Sequence, residues 1–265
     1  MFLNIITFYS NDMTICIAAI GNGENLLRKS EAIVFAIDHM ISVQAIGQFE
    51  HSIEKYRKIN SNTIVMLSGE ALLFDDILLK ISKRDKFNDI VAKMHMNMIK
   101  IRDDKIQKQV LEKFKIDFNF VREILNFIKA FSLNTSVILA GFKDGLAQIA
   151  EINEIATVNI RDLNFDAIGS GGIQAINTLL FQRHSKANDL KTTLYNVYKA
   201  KRNSEVAIGV GKETDIFIML KNGKIYRINE EQTKKLNDIY QKEMMFGKKQ
   251  NELDEIINNL EEVNA

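Results

Sequence analysis

The sequence predicts an α+β fold, a four-layer αββα sandwich of two antiparallel sheets flanked by helices. Three observations carry this. Apolar runs of strand length lie near the start, in the middle and towards the end of the 265-residue chain. Two helical blocks stand between them, one from Glu70 to about Phe131 and one from Ile173 to Lys201. Asp144-Gly145 and Asn222-Gly223 separate apolar runs, the mark of tight antiparallel hairpins. Helices with one apolar face need a sheet to cover it, so this order of elements layers as helix, sheet, sheet, helix.

The elements follow in chain order. A first strand is read over Thr14 to Ile20. Cys16 lies two residues from Thr14 and shares its face, either as a rival nucleophile or as a small core residue. Residues 21–30 form a turn. A second run, Ala32 to Ile37, ends on Asp38, and a third, Thr63 to Leu67, ends on Ser68-Gly69, with Lys55 between them. His39 and His51, beside Asp38 and before Lys55, read as loop residues. In the helical block, Leu72, Leu73, Ile77 and Leu78 fall on one face, as do Phe120, Ile124, Phe127 and Ile128. The stretch Lys80 to Lys115 is charged. Its Lys93-Met94-His95-Met96-Asn97-Met98 fits helix packing and surface, with a soft-metal site as the alternative. Strands resume at Thr135 to Phe142 and Leu146 to Glu151. Helices are expected over Ile173 to Gln182 and Asp189 to Lys201, and final strands over Thr214 to Leu220 and Lys224 to Ile228. Beyond them Leu253, Ile256, Ile257 and Leu260 keep helical spacing, giving an amphipathic helix that packs on its own domain or clasps a neighbouring subunit.

Composition excludes several classes. At 46% hydrophobic the chain can bury a sizeable core as one domain. With 35 basic and 34 acidic residues the net charge is +1, so neither nucleic acid nor membrane is an expected partner. One cysteine allows no internal disulfide and fits a reducing compartment, so a cytoplasmic location is expected. The first thirteen residues carry no lysine or arginine, which argues against a secretory signal. No His/Cys/Asp/Glu group has metal-ligand spacing. The turn Gly169-Ser170-Gly171-Gly172 lacks the spacing of a nucleotide-phosphate loop, so no cofactor and no metal is expected.

The stretch from residue 13 to 69 carries the chemistry. Two buried strands that stop at polar residues, with a lysine between them, make a plausible site. A threonine hydroxyl is a weak nucleophile unless a base stands beside it, and its own free α-amine can be that base. That amine titrates near 8, close to working pH. A neighbouring lysine ammonium would lower the pKa of amine and hydroxyl, and an aspartate would hold the lysine in place.

Thr14, a strand ending in Asp38, then Lys55, and a strand ending in Gly69 fourteen residues after that lysine resemble the proteasome β-subunit family of N-terminal nucleophile hydrolases. Ala167-Ile168-Gly169-Ser170-Gly171-Gly172 is similar to that family's glycine-serine-glycine turn. The resemblance covers roughly residues 13–228 and implies the family's αββα architecture. It implies Thr14 as nucleophile, Lys55 as catalytic lysine, Asp38 as its anchor, the Gly69 N–H as oxyanion donor and Ser170 as a hydrogen-bonding partner near the amine. Leu67 falls near the family's specificity pocket, implying a preference for apolar P1 residues. Asn203, in Arg202-Asn203-Ser204, stands where the family usually has an aspartate, and Val206 where it has a second serine. The supporting charge is therefore lost.

As function the resemblance implies a threonine-type peptidase, hydrolysing peptide bonds in a self-compartmentalising oligomer. Peptide or unfolded protein would be the substrate. The partners implied are a ring of identical or related subunits and an ATPase regulator. Two alternatives stand beside it: an inactive scaffold subunit of such a ring, favoured by Asn203, and a peptide transferase or ligase in which an amine captures the acyl-enzyme. The domain reading is residues 1–13 as a propeptide or a start upstream of the true Met13, residues 14–228 as the hydrolase domain and residues 229–265 as a C-terminal helical extension.

Overall fold

The computed structural model describes residues 14–23, 30–43, 47–50, 55–112, 121–160 and 162–246. The expectations for residues 1–13, His51, Phe120 and the helix at 253–260 lie outside these residues. The chain divides into two units, Met1–Arg227 and Ile228–Ala265.

The first unit is built on two five-stranded sheets, antiparallel throughout. Sheet I contains β1 (Cys16–Asn22), β2 (Glu31–Asp38), β10 (Phe165–Ile168), β11 (Thr214–Leu220) and β12 (Ile225–Arg227), in the order β10-β1-β2-β11-β12. Sheet II runs β5-β6-β7-β8-β9, from β5 (Tyr56–Asn60), β6 (Thr63–Ser68), β7 (Ser136–Lys143), β8 (Leu146–Ile152) and β9 (Thr157–Asn159). A two-stranded hairpin, β3 (Met40–Val43) and β4 (Gly47–Glu50), leaves sheet I after β2.

Alternation explains why the central strands read as unbroken apolar runs. In β1, Cys16, Ala18 and Ile20 enter the core between the sheets, as do Ile33, Phe35 and Ile37 of β2 and Ile64 and Met66 of β6. The opposite faces are covered by helices, so every position of these three strands is buried except Asn22 and Glu31, the polar ends of β1 and β2. On sheet II, Val65, Leu67, Val137 and Leu139 pack against α1 (Phe74–Ile77) and α2 (Phe87–Ile106), which contribute Phe74, Ile77, Ile90, Met94 and Met98. Each such side chain contributes roughly 1.5–3 kcal/mol when taken from water. On sheet I, α5 (Leu190–Ser204) packs across β1 and β2, and α4 (Gly172–Phe181) across β10. The order is helix, sheet II, sheet I, helix: the four-layer αββα sandwich that the sequence predicts.

Several local expectations are corrected. Leu72 does not share the buried face of Leu73 and Ile77; it stands 85% exposed, because Ala71–Leu73 form a 3-10 turn whose angular spacing differs from an α-helix. The face with Ile124, Phe127 and Ile128 belongs to α3 (Val121–Ala130), which has no buried residue. Arg102 of α2 ties it down by donating to the carbonyls of Ile128 and Phe131. In the Met/His stretch, Met94 and Met98 are core residues and His95 Nδ1 lies 2.9 Å from the Asn153 carbonyl oxygen. His39 is more than a loop residue: it sits 3.4 Å from Glu213 and 3.1 Å from Asp215. Among the described residues of the second unit, α6 (Glu230–Phe246) is a helix opened by a reciprocal bond between Asn229 and Gln232. No helix among the described residues is long and apolar enough to cross a membrane.

Candidate active site

The site forms where the start of β1 meets the end of β2. The backbone of Asp38 pairs with that of Ile15, its N–H donating to the Ile15 carbonyl. This sets Asp38 beside Thr14. Asp38 follows Ala32, Val34 and Ala36 on the helix-covered face of sheet I, and its side chain is fully buried.

A buried carboxylate must have its lone pairs occupied. Here Oδ1 accepts from the Thr14 hydroxyl, from the Ile15 N–H at 3.2 Å and from Lys55 Nζ at 2.8 Å. Oδ2 accepts from the Gly211 N–H at 2.8 Å. Lys55, in the segment leading into β5, also donates to Thr14 Oγ1. Thr14 Oγ1 is thus bonded to both an ammonium and a carboxylate. The Lys55 side chain keeps only 9% of its exposure, so little water screens its charge. Lys55 is fixed from behind as well, since its carbonyl accepts from the Leu67 N–H at 3.0 Å in β6.

Two glycines shape the walls. Gly169 has φ +101°, and a Cβ there would overlap the Thr14 carbonyl oxygen and lie 2.9 Å from Ser68 Oγ. That absence of side chain lets the turn after β10 approach the chain at Thr14. Ser170, next in that turn, donates to the Thr14 carbonyl at 3.5 Å. Gly69 has φ +110°, and a Cβ would overlap the Asn134 carbonyl oxygen. At both positions only glycine fits without strain.

The structure brings Thr14, Asp38, Lys55 and Ser170 together and sets Gly69 at the end of β6. Asn203 Nδ2 donates to Thr178 Oγ1 at 3.1 Å, a bond between α5 and α4. Val206 is exposed beyond the end of α5. Leu67 is corrected as a pocket residue: its side chain is 2% exposed and sealed among Leu73, Phe74 and Val137, because Met66 takes the inter-sheet face and alternation turns Leu67 outward. Cys16, one of the open readings as a nucleophile, is core. Burial pushes its thiol up to about 12, and it contacts the Leu67 carbonyl at 3.5 Å.

Sequence reasoning missed four residues here. Gly211 holds Asp38. Ser68 lies buried by Gly169 with its hydroxyl unpartnered. Lys201 is fully buried, bonded to Glu205 and to the carbonyls of Gly211 and Lys212. Gly169 itself is read as part of a turn, but not as the residue against Thr14.

No protein-family model matches the chain, and no curated protein matches it. Among solved structures, the chain is similar to the Anbu (Gly-1) mutant from Hyphomicrobium sp. strain MC1. That similarity covers 95% of this chain and 100% of the other, with a TM-score of 0.56 and 14% sequence identity. This corrects the family reading: the motif resemblance to proteasome β-subunits is not membership of that family, since no family model matches the chain and a likeness at 14% identity shows only the fold. The likeness shows the fold alone, the αββα sandwich of two antiparallel five-stranded sheets described above.

Proposed function

We propose that the chain is a peptide-bond hydrolase in which Thr14 is the nucleophile. The observation that supports it is the placement of one threonine hydroxyl between a lysine ammonium and a carboxylate, at the junction of the two sheets, with a glycine turn packed on its backbone.

The chemistry follows from these groups. Thr14 Oγ1 attacks the substrate carbonyl carbon and its proton passes to the free α-amine of Thr14. Lys55 stabilises the forming alkoxide, and Asp38 holds Lys55 in orientation through their 2.8 Å ion pair. The N–H of Gly69 takes up the developing oxyanion. Collapse of the tetrahedral adduct breaks the C–N bond, and the departing amine carries the proton away. Water then hydrolyses the ester and frees Thr14. A peptide-bonded nitrogen is not basic, so the bond between Met13 and Thr14 must be absent in the working enzyme.

Two measurements on the purified native protein test this. Intact mass and N-terminal mapping are expected to give a chain starting at Thr14. A β-lactone or peptide epoxyketone is then expected to label Thr14 and not a Thr14→Ala variant. A processed chain that takes no label overturns the proposal, as does a native chain still carrying residues before Thr14.

A further inference from the structure

Lys201 is a lysine with no access to water, one of the largest fully buried side chains described. An ammonium has three donors, and all three are used. Nζ donates to Glu205 Oε1 at 2.5 Å, to the Gly211 carbonyl at 2.8 Å and to the Lys212 carbonyl at 2.7 Å. Two of those bonds hold the turn at Gly211-Lys212. That same turn presents the Gly211 N–H to Asp38 Oδ2 at 2.8 Å. Lys201 therefore reaches the carboxylate of the site through one residue of backbone.

The charge reaches it as well. Burial pulls the Lys201 ammonium below its ordinary value, Glu205 and Asp38 pull it back up, and Arg202 opposes them. Arg202 in turn donates to Glu205, so Glu205 is shared by two cations. Lys201 is held on one side by Glu205 and influences Asp38 on the other. Asp38 lies between two ammonium groups, Lys55 in direct contact and Lys201 behind the turn.

We propose that Lys201 is a positioning residue for the Thr14 site: it fixes the turn that holds Asp38, and its charge sets the field in which the Thr14 amine titrates. This rests on the reading of Thr14 as nucleophile. Removal of the positive charge makes it easier for the amine to keep its proton; removal of the Glu205 charge makes it harder. Asp38, Lys55, Arg202 and the Cys16 thiol are coupled to one another or to Lys201, and Lys212, Glu213 and His39 flank Gly211 and Asp38; all are unchanged in both variants.

The test compares wild type, Lys201→Met and Glu205→Gln in the pH dependence of Thr14 acylation by a β-lactone, with folding monitored by circular dichroism. Lys201→Met is expected to move the acid limb up by on the order of 0.5 pH unit, and Glu205→Gln to move it down by a similar amount. A merely structural ion pair lowers the labelled fraction in both variants and leaves the limb in place; coincident limbs overturn the inference. If Lys201→Met does not fold, the downward shift in Glu205→Gln decides alone. The Gly211 amide proton supplies a readout free of activity. Its bond to a carboxylate is expected to place it far downfield in the wild type and upfield of that position in Lys201→Met and in Glu205→Gln, where the turn is loosened. A Gly211 signal identical in all three proteins overturns the inference even if Thr14 is inert. A wild type that never acylates, with the expected Gly211 shifts, overturns the nucleophile reading and leaves Lys201 as the residue that places Asp38.

Discussion

Lys55 and Asp38 form a 2.8 Å ion pair that joins the two sheets, since Asp38 ends β2 of sheet I and Lys55 leads into β5 of sheet II. With the carboxylate fully buried, the pair is both a structural clamp and the electrostatic setting of Thr14. Lys55→Met keeps the length of the side chain but strands the Asp38 charge. Breaking a buried pair from one side costs about 3 kcal/mol. Urea unfolding is expected to show that loss, and acylation of Thr14 is expected to fall by at least about 100-fold in the fraction that remains folded. A variant with wild-type labelling would remove Lys55 from the chemistry.

Gly169→Ala tests the wall of the site. Its φ of +101° is unfavourable for alanine, and the added methyl would overlap the Thr14 carbonyl oxygen, so the turn must shift or Thr14 must move. The expected cost is about 2 kcal/mol or more in stability. Because the displaced atoms belong to Thr14, labelling is expected to fall further than the folded fraction does. Equal losses in the two measurements would show that the contact is structural only.

Much of the fold is legible because both faces of the central strands are covered. Thr63–Ser68 and Glu31–Asp38 are buried almost throughout and announce themselves as apolar runs. Tyr56–Asn60 does not, since β5 lies at a sheet edge with Arg57 and Lys58 exposed. Phe165–Ile168 is only four residues long and carries Asp166, which breaks its apolar pattern. In the site, Thr14, Asp38 and Lys55 are legible because polar residues ending apolar strands stand out. Lys201 is not. In Lys199-Ala200-Lys201-Arg202 it looks like a solvated helix end, and only the packing of α5 on β1 and β2 reveals that it is buried. Leu67 fails for the opposite reason: its distance from Gly69 is visible in the sequence, but the face it turns to is set by the strand's register in the sandwich.

Cys16 separates position from reactivity. It opens β1 only two residues after Thr14, yet its thiol is fully buried with its pKa pushed up to about 12 by loss of solvation. Iodoacetamide at pH 8 is expected to leave the native protein unmodified and to alkylate Cys16 fully in urea. Cys16→Ala is expected to cost about 1 kcal/mol through lost packing and to leave Thr14 labelling intact. Alkylation of the native chain as fast as the unfolded one would contradict the buried placement.

Asp166 gives the fold a pH dependence independent of the site. It is buried on β10 with Oδ2 unpartnered; burial foremost, and then the nearby Glu151, raise its carboxyl from 3.8 to about 6. Glu151 is itself raised, by burial. Between those two values the folded chain binds the Asp166 proton and the unfolded chain releases it. Stability from this group is therefore fully present below about pH 4 and is lost as pH rises through about 6. The full span is worth on the order of 2–3 kcal/mol. Asp166→Asn removes the ionisation, so urea midpoints for the variant are expected to exceed wild type at pH 7.5 and to lose most of the difference at pH 4.5. The Ala167 N–H, which now donates to Asp166 Oδ1, keeps an acceptor in the asparagine. A variant less stable than wild type at both pH values by the same amount would show that the carboxyl is not protonated in the folded chain and that its loss is one of packing alone.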